Sequence, residues 1–172
     1  MVDILEGKRI LIVDDEQDIL ETLEELLDMC LIDSAPDFNT ACKFLDKYSY
    51  DAAVLDIMGV RGYELLQKTG ELGIPAVMLT AHALNPDNLV KSIEMGAQCY
   101  VPKDKIGDIA FYLADVFKAR EYGIQKHGNW FKRLKPFFDK KFGSGWRESH
   151  KEFWEVFDKN YHVKKEDIEN IM

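Results

Sequence analysis

The sequence predicts a doubly wound α/β fold, with five parallel strands in the order 2-1-3-4-5, helices on both faces and a small α-helical C-terminal extension. Three observations predict it. Short apolar runs alternate with amphipathic stretches over the first 120 residues. The main runs are apolar almost throughout, as in strands buried on both faces. Five such runs interleave with five helical patterns, the mark of a parallel sheet covered on each side.

Arg9 to Val13 (RILIV) is the first strand. Glu16 to Met29 is the first helix, with Ile19, Leu20, Leu23, Leu26 and Leu27 at helical spacing. Asp18, Glu21, Glu25 and Asp28 fall on its other side. Leu31 to Ser34 is a weak second strand, and Thr40 to Lys47 a short helix with Asn39 as N-cap. Ala52 to Asp56 (AAVLD) is the third strand. Gly62 to Glu71 is helical and Gly73 ends it. Ala76 to Thr80 (AVMLT) is the fourth strand. Asn85-Pro86 caps and opens a helix to about Met95, stopped by Gly96. Gln98 to Val101 is the fifth strand, and Asp104 caps a last helix through about Tyr122. At this length the flavodoxin-like strand order leads.

Polar residues stand where these strands stop. Asp14 and Asp15 follow the first strand, Asp56 ends the third, Thr80 ends the fourth, and Lys103 lies just past the fifth. Ligands of an open parallel sheet bind outside the carboxyl ends of its strands, where the strand order reverses. Three carboxylates gathered there repel one another, and a hard divalent cation removes the conflict. Oxygen-only donors suit Mg²⁺, which takes few carboxylates together with phosphate oxygens. Asp56 is then a nucleophile toward phosphorus, with Lys103 and Thr80 pairing to the phosphoryl oxygens. Alone, an Asp-Asp pair is a good helix start and a strand-end Thr or pre-helix Lys is ordinary. Their joint placement at successive strand ends is what points to a site.

The segments ILIVDDE (10–16), AVLDIM (53–58), VMLTAHA (77–83) and YVPKDK (100–105) closely resemble the receiver (CheY-like) domains of bacterial two-component response regulators. The resemblance covers about residues 7–122. It implies that Asp56 is the phosphoacceptor for a partner histidine kinase. It implies that Asp14, Asp15, Asp56 and the backbone carbonyl of Met58 hold Mg²⁺. Thr80 and Tyr100 match the switch pair, and Lys103 the phosphate-contacting lysine. A phosphoryl group that draws in the Thr80 hydroxyl would let the Tyr100 ring turn inward and bias the surface of the fourth helix, fifth strand and fifth helix. Such a chain catalyses only its own phosphorylation and dephosphorylation.

Three departures from the family pattern stand out. The loop Asp56-Ile57-Met58-Gly59-Val60-Arg61-Gly62 is short and lacks the usual proline. Pro102 precedes Lys103 rather than following it, which moves any cis bond to Val101-Pro102. Met58 and His82 occupy positions that vary within the family and set how fast the acyl phosphate hydrolyses; His82 reads better as a loop residue than as a general base.

The chain has 172 residues, 47% of them hydrophobic, and a net charge of −9. Residues 1–125 carry 11 Lys/Arg against 23 Asp/Glu, whereas residues 126–172 carry 11 against 8. The first part is a poor match to nucleic acid. There is no apolar run near 18 residues and no signal-peptide pattern. Cys30, Cys42 and Cys99 lack metal-like spacing and read as reduced core thiols of a cytoplasmic protein.

The sequence divides into a receiver, residues 1–122, and an aromatic-rich helical extension, residues 123–172. In the extension, Gly123 and Gly128 mark a break. Trp130, Leu134, Phe137, Phe138 and Phe142 recur at helical spacing among Lys132, Arg133, Lys135, Lys140 and Lys141. Pro136 is expected to kink or restart this helix. Gly143-Ser144-Gly145 is a turn. A second helix carries Trp146, Phe153, Trp154 and Phe157, and a third segment, Lys164 to Met172, has Ile168 and Ile171 on one side. The leading expectation is that the stripe packs on itself or extends the receiver's last helix. Binding of a downstream protein or of a second copy as a homodimer is an alternative, and contact with an acidic membrane a weaker one. DNA binding is disfavoured, since no helix-turn-helix pattern occurs. His127, His150 and His162 lack metal-site spacing.

The expected function is a phosphorylation-dependent switch whose output is a protein contact. One rival is a phosphorelay shuttle passing phosphate to another histidine protein. A second is a transcription regulator acting through the basic extension. An aspartyl phosphohydrolase is set aside, because the second acid such enzymes need two residues after the nucleophile is Met58 here.

Overall fold

The computed structural model describes residues 2–123 and 128–161. After a short 3₁₀ turn at Val2–Leu5, the elements are β1 (Arg9–Val13), α1 (Gln17–Leu26), β2 (Leu31–Ala35), α2 (Phe38–Lys47), β3 (Ala52–Asp56), α3 (Gly62–Glu71), β4 (Ala76–Thr80), α4 (Pro86–Glu94), β5 (Cys99–Pro102), α5 (Ile109–Tyr122), α6 (Gly128–Phe142) and α7 (Lys151–Tyr161). The five strands form one parallel sheet in the order β2-β1-β3-β4-β5. The expected fold class is the observed one.

Burial explains the strands. Every residue of β3 and β4 is buried, and β1 is open only at Arg9. β2 lies at one edge and is half-exposed, which accounts for its weak apolar signal. β5 lies at the other edge, yet all four of its residues are buried. Helix α6 packs against β5 and α5, covering a strand that would otherwise present an open edge.

The helix starts follow side-chain chemistry. Asn85 accepts from Asn88 N at 2.8 Å, with Pro86 in the first turn, as expected. The cap of α2 is Asp37, not Asn39: its carboxylate accepts from Thr40 N at 2.7 Å, and the helix starts two residues earlier than expected. Asp104 opens no long helix. Residues Lys103–Asp108 form a 3₁₀ turn, broken at Lys105, and α5 begins only at Ile109. Gly107 in that turn is a poor helix former. No peptide bond among the described residues is cis, so Val101-Pro102 is trans.

The extension departs from expectation at Pro136, which sits inside α6 without ending it. A proline there removes one backbone hydrogen bond. Aromatic packing on both sides holds the helix through it. The Phe131 ring lies tilted against Trp154 with centroids 5.3 Å apart, and Phe138 stacks on Phe142 at 5.4 Å. Trp146 stands in the turn before α7, not in a helix, and its ring meets Trp154 at 5.3 Å. The turn itself places Gly143 and Gly145 at φ +87° and +73°, a conformation that glycine adopts freely. The stripe thus packs on itself, as expected, and joins the receiver core through Trp130, Phe131, Leu134 and Phe138. The segment Lys164 to Met172, with Ile168 and Ile171, lies outside the described residues, as do His127 and His162. No described helix is long and apolar enough to cross a membrane. The three cysteines are free thiols, two of them buried; burial pushes Cys30 up to about 11.

Candidate functional site

Parallel register brings the strand ends together. Val13 pairs with Leu55, and Asp56 with Leu79, so the residue after β1 and the last residues of β3 and β4 reach the same edge of the sheet. Thr80 pairs with Pro102, which sets Lys103 one residue past the end of β5 at that edge.

Lys103 is the hub. Its Nζ lies 2.9 Å from Asp14 Oδ2, 3.3 Å from Glu16 Oε1 and 3.6 Å from Asp56 Oδ1. Asp14 and Asp56 are buried, whereas Asp15 and Glu16 are exposed. Asp14 Oδ1 accepts from Glu16 N at 2.9 Å, which fixes the carboxylate at the start of α1. Asp14 Oδ2 has no aligned hydrogen-bond donor among the described residues and meets Lys103 as an ion pair.

These surroundings shift the acids upward. Burial, followed by the charge of Asp14, pushes Asp56 up to about 7, with Lys103 acting against them. Burial also raises Asp14, opposed by its bond to Lys103. For Lys103 itself burial disfavours the charge, but Asp14, Asp56 and Glu16 outweigh it, and its ammonium is held above the usual value. One cation therefore serves an excess of acids, and two of those acids are poorly solvated.

Ligand oxygens of Asp14, Asp15 and Glu16 lie within 4.8 Å of one another, close enough to share a metal ion. The donor set is all oxygen, the kind a hard divalent cation takes, and its buried member, Asp14 Oδ2, is held by the Lys103 ammonium at 2.9 Å. Close approach is built into the loop after β3. Gly59 lies at φ +86°, and a Cβ there would collide with the Asp15 carboxylate. A Cβ on Gly62 would collide with the backbone oxygen of Asp56. The short loop 57–61 passes between these contacts, and Met58 within it turns its side chain outward, 53% exposed.

Two residues behind the acids share a single loop residue. Thr80 Oγ1 accepts from Ala83 N at 3.0 Å, and the Tyr100 hydroxyl donates to Ala83 O at 2.7 Å. Thr80 and Tyr100 are both fully buried. The Tyr100 ring is packed in the core, its centroid 6.1 Å from that of Phe138. His82 is 72% exposed and its Nε2 stands 3.8 Å from Glu16, a loop position as expected. Glu16 is the site residue that sequence reasoning missed. The run Asp14-Asp15-Glu16 was the available signal.

A parallel sheet with clustered acids and one buried lysine beyond its strand ends defines a receiver-type signalling module. The sequence profile of the response regulator receiver domain matches residues 10–110. The two-component response regulator ARR10 of Arabidopsis thaliana is 33% identical over 104 residues, which are 56% of this chain and 19% of that protein. The transcriptional regulatory protein CpxR of Klebsiella pneumoniae is 36% identical over 104 residues, 55% of this chain and 42% of its own length. This chain therefore spans less than half of these relatives. Among solved structures, a CheY-like receiver domain protein from Methanospirillum hungatei superposes with a TM-score of 0.62 at 26% identity, over 69% of this chain and 99% of that one.

The chain belongs to the response regulator receiver domain family. Its receiver fold is the phosphorylation-dependent switch element of two-component signalling, a family that uses Mg²⁺ at an acidic cluster and takes its phosphoryl group from a histidine kinase or another phosphodonor.

Proposed function

We propose that Asp56 is the phosphoacceptor, and that residues 1–122 act as the receiver of a two-component system whose output is a protein contact. Asp14, Asp15 and Asp56, with the carbonyl of Met58, would hold a Mg²⁺ ion. Bound there, the ion supplies positive charge that neutralises the acids and the incoming phosphoryl oxygens.

The rest falls to the chain's own groups. An oxygen of the Asp56 carboxylate attacks phosphorus. The bond from phosphorus to the donor histidine nitrogen breaks, and the electron pair stays with that nitrogen, which takes up a proton. Lys103 leaves part of its pairing with Asp14 and meets a phosphoryl oxygen. Thr80 donates its hydroxyl hydrogen to another, since its bond to Ala83 N uses only a lone pair of the oxygen. Positioning and charge neutralisation carry the acceleration.

The observation that carries this reading is the reach of the Lys103 ammonium to both Asp14 and Asp56 at the carboxyl end of the sheet. The test is incubation of the full chain with acetyl phosphate and MgCl₂, followed by intact mass. One phosphoryl group is expected on the wild type and none on Asp56→Asn. Equal incorporation in the two proteins would overturn the assignment.

A further inference from the structure

Helix α6 and the turn before α5 enclose a cationic groove. The turn breaks at Lys105, whose ammonium stands 5.5 Å over the ring of Phe137 on α6. Beside that contact lies a hollow of about 570 Å³, lined by Lys105, Arg133, Pro136, Phe137, Lys140 and Lys141. Four of the six are cations and none is an acid. A smaller hollow of about 280 Å³ shares Lys105 and Arg133 and continues to Asp108, Phe111 and Tyr112.

The positive charge is local and largely unspent. The whole chain carries −9, so the groove reverses the sign of its surroundings. Arg133 pairs with Asp115 at 3.0 Å, whereas Lys105, Lys140 and Lys141 have no ion pair among the described residues. The single acid of α6, Asp139, is used elsewhere: it accepts from Lys135 Nζ and from Trp146 Nε1, each at 2.8 Å. The floor between the cations is apolar and fixed. Phe137 is half-buried, with its ring at a T-shaped angle to fully buried Phe138. Trp130, Phe131, Leu134 and Phe138 anchor α6 in the core, so the groove is formed before anything enters it.

We propose that this groove binds an acidic peptide segment of a partner protein, with carboxylates about three residues apart and an apolar side chain between them. Arg133 and Lys140 stand two helical turns apart, about 10 Å along the axis. That is about three residues of extended peptide. Pro136 and Phe137 lie between the two cations, where the apolar side chain of the segment rests. A single phosphate group is too short to use both ends, whereas separate carboxylates reach them. Each exposed ion pair is weak by itself, so selectivity comes from matching several charges around an apolar contact. The proposal needs no phosphoryl group and stands apart from the reading of Asp56.

The probe is the capped peptide Gly-Glu-Leu-Ser-Glu-Gly, titrated by NMR into the ¹⁵N-labelled full chain at low salt. Amide shifts are expected in 105–112 and 133–141 and little elsewhere. Affinity should fall about tenfold at high salt. The double variant Lys140→Ala, Lys141→Ala should weaken binding about tenfold. A second double variant, Lys43→Ala, Lys47→Ala, removes the same net charge from exposed positions of α2 and should bind as the wild type does. All four positions are exposed, and the amide spectrum reports directly that each variant is folded. A peptide with lysine in place of both glutamates should not bind, and one with alanine in place of leucine should bind about fivefold more weakly.

No shifts, shifts outside the groove, equal binding by the two double variants, or equal binding of the leucine and alanine peptides overturns the proposal. Tighter binding of a single-stranded oligonucleotide than of the peptide, lost with Lys140 and Lys141, also overturns it and assigns the groove to nucleic acid.

Discussion

Lys103 stands closer to Asp14, at 2.9 Å, than to Asp56, at 3.6 Å. Its charge is thus spent mainly on the acid that is not the proposed nucleophile, and it holds a cluster of acids together in the absence of other cations. Replacing it should therefore damage folding before it damages chemistry. Lys103→Met is expected to lose about 2–3 kcal/mol of stability at neutral pH without divalent ions, because two buried carboxylates lose their counter-charge. Millimolar MgCl₂ should recover much of that loss. Urea unfolding with and without MgCl₂ measures both. Equal stability of Lys103→Met and wild type without Mg²⁺ would show that the lysine does not neutralise the cluster.

The same crowding makes stability depend on pH through Asp56. Burial and Asp14 raise this acid from its ordinary value to about 7. A raised acid binds its proton more tightly in the folded state, so it favours folding while protonated. That advantage is lost as pH rises from the unfolded value toward 7, and above 7 the full penalty applies. Asp56→Asn, neutral at every pH, should thus stabilise the metal-free protein at pH 8 by roughly 2 kcal/mol and change little at pH 4. Thermal melts at the two pH values decide it. A gain of the same size at both would locate the cause outside titration.

Much of this was legible beforehand, for identifiable reasons. β1, β3 and β4 are buried on both faces and announce themselves as apolar runs, and the acids that follow them could be placed from strand order alone. β2 read weakly because an edge strand keeps polar residues on its open side. Asn39 was an acceptable cap by residue type, but Asp37 reached Thr40 N first, a choice that only local geometry makes. Pro136 obeyed a local rule that packing overrode. Glu16 was hidden because an acid after Asp-Asp looks like an ordinary helix start. The seat of Phe138 on Tyr100 left no trace in periodicity, since it joins two amphipathic patterns that are each complete in themselves.

The start of α3 should be intolerant of a side chain at Gly62, whereas Gly70, further along the same helix, should accept one. A Cβ at Gly62 would strike the backbone oxygen of Asp56, which no rotamer change can relieve. Gly62→Ala is expected to cost about 1–3 kcal/mol and to slow phosphorylation by displacing Asp56. Gly70, within α3, has open space around it. Gly70→Ala should stabilise by about 0.5–1 kcal/mol through helix propensity. Chemical denaturation of the pair tests the contrast. A Gly62→Ala protein as stable as Gly70→Ala would mean that the close approach to Asp56 is not maintained in solution.

Asp115 sits buried on α5, and burial raises its carboxyl above the usual range while Arg133 of α6 pulls it down. Removing Arg133 leaves that carboxylate without its aligned donor, so Arg133→Met should destabilise the chain at pH 7 by about 1–3 kcal/mol. The sign with pH follows from the acid. At pH 4 a larger share of Asp115 is protonated and needs no counter-charge, so the loss should shrink there. Asp115→Asn should remove the pH dependence, and the double variant should be more stable than the sum of the two single losses predicts. A double-mutant cycle by urea unfolding at both pH values measures the coupling. Strict additivity would show that α6 does not depend on Asp115 for its place on α5.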